Sequence, residues 1–218
     1  MKQFRTSRTT VMAASMIAAG ALVLAGCGDD SDSGSMPGMD HGAPSSTAAS
    51  PSTTQNTAPV DDHNDADVKF AKDMIPHHRQ AVEMADLALK NASNAEVKQL
   101  ATAIKQAQDP EIQTMSGWLT SWGQPVPTPM AGHDMSAGMP GMMTMEEMAE
   151  LEKATGSAFD QMWLQMMVKH HQGAVAMAKT EQTTGKAEAA VALAKKIETD
   201  QNREIATMQK LLGTLTGR

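Results

Sequence analysis

Two stretches of the chain set imidazole and thioether side chains at one spacing: Met74, His77, His78 and Met84, then Met167, His170, His171 and Met177. At 100° per residue the first set, with Ala81, falls within an arc of about 120°, so a helix carries it on one face. The second set, with Ala174, does the same, and the two alanines leave room beside the rings. Imidazole and thioether together suit copper, because thioether favours Cu(I) and imidazole accepts both oxidation states. Zinc is the weaker expectation, since it prefers thiolate, imidazole or carboxylate to methionine. The sole cysteine is Cys27, so any soft-metal chemistry falls to methionine and histidine. A plainer assignment stands beside this one. Methionine on a helix face often fills a core, and a buried histidine can be a core residue satisfied by Glu111 or Glu204.

Helices are what the composition supplies to position these groups. Aromatic residues are 3% of the chain and tyrosine is absent, while Ala, Leu, Gln, Glu, Lys and Met dominate; these are good helix formers. The expectation is an all-α fold. A first long helix is predicted from about Asp62 to Lys90, capped by Asp62 or Asp65, and a second from Asn94, as cap, to just before Gly123. Thr144 and Glu147 form a capping-box pattern that opens a short helix to about Ala154. A further helix runs from Ser157 to Gly185 and a last one to about Leu212. Sliding the chain by 93 residues, the offset from His77 to His170, also matches Asp67 with Asp160, Gln108 with Gln201, Glu111 with Glu204 and Met115 with Met208. That is the mark of a duplicated helical hairpin, and two amphipathic hairpins bury their stripes most simply as a four-helix bundle. With one turn near residue 93 and the other near Gly185, Gln108, Glu111 and Met115 lie level with the first His pair. Gln201, Glu204 and Met208 lie level with the second, as neighbours that could orient the rings. Pro76 lies inside the first long helix, where it frees a carbonyl one turn back.

The segments between helices are rich in methionine. Met36, Met39 and His41 lie in one, and Met130, His133, Met135, Met139, Met142 and Met143 crowd another, cut by several prolines and glycines. With no core to fill there, these side chains are expected to be labile auxiliary ligands. Lys2, Arg5 and Arg8, an apolar run from Val11 to Ala25, and Gly26-Cys27 follow one another as in a secretory signal that ends in lipidation. Residues 1–26 are thus expected to be a lipoprotein signal peptide, and 27–61 a polar tether with a lipid on Cys27. Residues 62–213 form the helical domain, divided into a first repeat 62–122, a Met-rich connection 123–156 and a second repeat 157–213. Loss of the signal's three cations deepens the formal charge from −7 to −10, which welcomes cations and argues against nucleic acid.

Catalytic signatures are weak. No Glu-x-x-His motif for a carboxylate di-iron centre and no His-Glu-x-x-His motif for a zinc hydrolase occurs. Asp73 precedes His77 by four residues, but its counterpart is Met166. The two Met-x-x-His-His stretches resemble the bacterial domain-of-unknown-function family number 305, together with Trp118-Leu119, Trp122-Gly123, Gly141-Met142-Met143-Thr144 and Phe159-Asp160. The resemblance implies a ferritin-like four-helix bundle, and for some members extracytoplasmic copper binding. Carried over, the ligands are Met74, His77, His78, Met84, Met167, His170, His171 and Met177. Lys169 departs from the pattern where the first stretch has Pro76. The expected function is a membrane-tethered metal-binding protein at the outer face of the cytoplasmic membrane or another envelope membrane, which sequesters or buffers copper and is not an enzyme. Its rivals are a helical envelope or interaction protein whose His pairs are polar core, and a copper-dependent redox enzyme.

Overall fold

The computed structural model describes residues 62–128 and 138–217. The signal, the tether with Cys27, and Met130, His133 and Met135 lie outside the described residues. The described chain is helical: α1 (Asp65–Asn91), α2 (Ala95–Ser121), α3 (Met145–Lys153), α4 (Gly156–Thr184) and α5 (Glu188–Leu215). Helix α1 packs along α2, α4 along α5, and the two hairpins meet chiefly through α1 and α4.

The caps explain where the helices start. Asn64, and not Asp62 or Asp65, closes the N-terminus of α1: its side chain accepts from the Ala66 and Asp67 amides, and Asp67 returns a bond to the Asn64 amide. Asn94 caps α2, and Thr144 with Glu147 forms the capping box of α3, both as the sequence predicts. Helix α4 begins at Gly156, a residue before the predicted start, and its N-cap Thr155 makes no side-chain bond. Asp160, the fifth residue of α4, reaches across to the α1–α2 turn. There its carboxylate accepts from the Ser93 and Asn94 amides at 3.0 Å each and from the Ser93 hydroxyl. Asp67 does the same at the other end, accepting from the Lys186 and Ala187 amides ahead of α5, which has no side-chain cap of its own. Each hairpin thus caps the turn of the other, through residues related by the 93-residue offset.

The core falls into two clusters. One contains Ala81, Met84, Ile104, Phe159, Trp163, Met167 and Met208; the other contains Phe70, Met74, Met115, Leu119, Ala174, Ala178 and Ile197. Along each of the four long helices buried polar residues lie between the two: His77 and His78 on α1, Gln108 and Glu111 on α2, His170 and His171 on α4, and Gln201 on α5, while the buried Asp67, Asp160 and Glu181 lie toward the helix ends. Burying each large apolar side chain contributes roughly 1.5–3 kcal/mol. The apolar clusters therefore hold the polar layer in place, because α1 and α4 run antiparallel through both.

Candidate metal centre

His77, His78, His170 and His171 are fully buried. The rings of His77 and His170 meet where α1 crosses α4, with centroids 3.8 Å apart and planes tilted by 37°. His78 lies 2.9 Å from Glu111 Oε2 through its Nε2, and His171 lies 2.7 Å from Glu204 Oε2 through its Nε2. A carboxylate accepts, so Nε2–H donates in both, and the lone pair of each ring is left on Nδ1. His77 reaches the same tautomer by another route, with Nε2 donating to the Pro140 carbonyl at 3.1 Å. The Nδ1 atoms of all four rings, and Nε2 of His170, have no hydrogen-bond partner. A buried polar atom without a partner costs about 1–3 kcal/mol. These orphaned nitrogens fit a soft or borderline cation, and the acceptors on Nε2 are of the kind that orient metal-binding imidazoles.

Burial first, and the electrostatic influence of the adjacent His78 second, pushes His77 down to about 3. Burial likewise holds His170 well below its ordinary value. Both rings are neutral at physiological pH, the form in which imidazole binds a metal. Burial works to raise Glu111, but the bonds from His78 and Lys196 outweigh it, so this carboxylate stays ionised. Among the described residues, no three His, Cys, Asp or Glu side chains converge as a ready-made cation cage. Engaging the imidazoles in one coordination sphere thus takes ring rotation or help from thioether sulfur.

Met74, Met84 and Met167 are fully buried and Met177 is half-buried. Met84, Met167 and Met208 share one apolar cluster, with Met143; Met74 and Met115 lie in the other, with Met177 packed against it. Thioethers thus flank the histidine layer on both sides. Gln108 and Gln201 are buried in that layer, each with its Oε1 unpartnered.

The expectation that the inter-repeat methionines have no core to fill is overturned for two of them. Met142 and Met143 are buried, Met143 within the first apolar cluster, and Met139 is half-buried. The reason is a strap, residues 138–143, that folds back over the histidines. Gln80 holds it by donating to the Met143 carbonyl at 2.9 Å and accepting from the Met143 amide at 2.8 Å. Gly173, at the position related to Gln80, admits it: a Cβ there would meet the Pro140 carbonyl oxygen at 1.9 Å. Sequence reasoning missed Pro140, Gln80, Gly173 and Lys196. The mismatch of Gln80 with Gly173, one of several between the two stretches, was the available signal.

Comparison with known proteins gives the geometry a family. No curated protein matches the chain. Among solved structures, a DUF305 protein of Streptomyces coelicolor, described as a candidate secreted protein, is 36% identical, with a TM-score of 0.63 over 69% of this chain and 94% of that one. A DUF305 fragment from Deinococcus radiodurans is 32% identical, with a TM-score of 0.63 over 69% and 97%. CopM in its Cu(II)-bound form is 34% identical, with a TM-score of 0.60 over 68% and 96%. Both Met-x-x-His-His stretches, and the Asp67 and Asp160 that clamp the hairpins together, lie within residues 67–212, the span matched by the family model "Domain of unknown function (DUF305)", and the chain belongs to that family.

Proposed function

We propose that this protein binds copper outside the cytoplasm, as a buffer or carrier, through the buried histidine layer and its flanking methionines. The observation that carries the reading is the tautomer pattern. Three rings spend their Nε2–H on an acceptor and keep an unpartnered Nδ1 lone pair inside the protein. A purely structural histidine would have no use for such a nitrogen. CopM, similar over most of this chain, has been solved in Cu(II)-, Cu(I)- and silver-bound forms, which supports the choice of a soft metal.

In this reading Met74, His77, His78, Met84, Met167, His170, His171 and Met177 are the pool of ligands. Glu111 and Glu204 orient the rings, and Met139, Met142 and Met143 are auxiliary. The hairpins are read as a duplicated unit closing a four-helix bundle of ferritin-like type. The signal-like N-terminus supports export and a lipid on Cys27, and the secreted description of the Streptomyces relative agrees with export. Storage or transfer is favoured over turnover, since buried ligands with strong second partners suit holding a metal.

The test is a competition titration of the full chain with Cu(I) under reducing anaerobic conditions, with Cu(II) and Zn(II) in parallel, following chelator absorbance and melting temperature. Sub-micromolar Cu(I) binding with a rise in melting temperature supports the proposal. No competition and no thermal shift returns the four histidines to the role of polar core. In a separate aerobic arm without reductant, oxygen consumption above the protein-free control on Cu(I) addition would instead point to the redox-enzyme reading.

A further inference from the structure

The two histidine–glutamate pairs look alike in sequence and differ in their surroundings. On the first arm, Glu111 accepts from His78 with Oε2 and from Lys196 Nζ with Oε1, at 2.8 Å. Lys196 comes from α5, in the other hairpin, and also pairs with Asp200 at 3.1 Å, which in turn meets Arg203 at 2.9 Å. On the second arm, Glu204 pairs with His171, and among the described residues it has no other ion pair. The position related to Lys196 by the 93-residue offset is Ala103, which is exposed and brings no charge. The carboxylate behind His78 is thus neutralised by a contacting ammonium, and the one behind His171 is not.

From this we infer that Lys196 makes the two arms unequal, so that a soft cation engages His171 before His78. The inference rests on the metal-binding reading above and deepens it. An anionic acceptor behind an imidazole N–H raises the electron density at the opposite nitrogen and adds its own attraction for a cation. Lys196 removes much of both effects on the first arm. At a separation on the order of 10 Å and an effective dielectric between about 20 and 80, a unit charge changes affinity between about twofold and twentyfold. Lys196 is a tuning residue and touches no metal itself. Its side chain is 53% exposed, so replacing it leaves the apolar clusters intact.

The experiment is a stepwise titration of the full chain with Ag(I), a redox-inert probe, following the imidazole resonances of His78 and His171 by NMR. These are assigned with His78→Gln and His171→Gln variants. In the wild type the His171 signals are expected to move first, by the twofold to twentyfold preference given above. Lys196→Met should bring the two responses together by tightening the first arm, while Lys196→Arg keeps them apart. Ala103→Lys should weaken the second arm. If silver binds but His78 responds first or together with His171, or if Lys196→Met leaves their order and spacing unchanged, the inference is wrong while the metal-binding reading stands. If no variant and no wild-type resonance responds to silver, both fall together.

Discussion

His77, His78 and His171 all spend Nε2 on an acceptor, and what remains of their chemistry is directed inward from Nδ1. With His77 at about 3 in the folded chain, protons compete poorly for that nitrogen. Copper occupancy is therefore expected to persist at pH 5, where an ordinary imidazole is mostly protonated; a chelator competition at pH 5 and pH 7 checks this. The same depression acts on stability. The unfolded chain takes up protons on His77 near its ordinary value of 6.5, whereas the folded chain does not until about 3. The metal-free protein therefore loses stability as the pH falls from about 6.5 toward 3. Replacing His77 and His170 together with alanine should abolish the tightest copper binding while far-UV circular dichroism stays close to wild type, since the apolar clusters on either side remain. Gross unfolding would speak for the histidines as core. That Glu111 lies level with the first His pair and Glu204 with the second follows from hairpin arithmetic alone. The tautomers do not, because the third acceptor is the backbone carbonyl of Pro140, which no side-chain pattern reveals.

At the scale of elements, the two clamps and the strap matter most. Asp160 accepts two backbone amides and a hydroxyl from the α1–α2 turn, so Asp160→Ala is expected to cost roughly 2–4 kcal/mol, read as a fall in the denaturation midpoint. Asp67 at the other end sits beside Glu181, a buried carboxyl raised to about 8 by burial first and by Asp67 second. Folding therefore favours the protonated acid, and stability should decline as the pH rises from about 4.5 toward 8. Glu181→Gln should flatten that slope, as melting temperatures across this range would show. A methyl group at Gly173 collides with the Pro140 backbone, so Gly173→Ala should displace the strap, release His77 Nε2 and weaken or reorder copper binding at that ring. Titration of the variant beside the wild type reads this directly. Helix starts were legible where the cap belongs to the helix itself, as at Asn94 and Thr144. They were misread at Asn64, where three polar residues compete, and at Gly156, where no side chain caps the helix. The two core methionines of the strap were illegible because only the tertiary fold carries residues 138–143 back onto α4.

For the molecule as a whole, the order of residues along each helix already contained the layering. Apolar, polar and apolar segments follow one another in α1, α2, α4 and α5, and antiparallel packing of α1 against α4 aligns them into a polar sheet of side chains between two apolar ends. The charge asymmetry between halves was written in the chain as Lys196 against Ala103, but its meaning needed the contact with Glu111 across the hairpin boundary. The crossed clamps carry one more consequence. In the folded protein the carboxylate that accepts the amides of each hairpin's turn lies on the other hairpin. The two halves are thus mutually obligate lock and key, and a chain nicked between residues 129 and 137 should behave as a complementing pair: unstable fragments apart, one thermal transition when mixed.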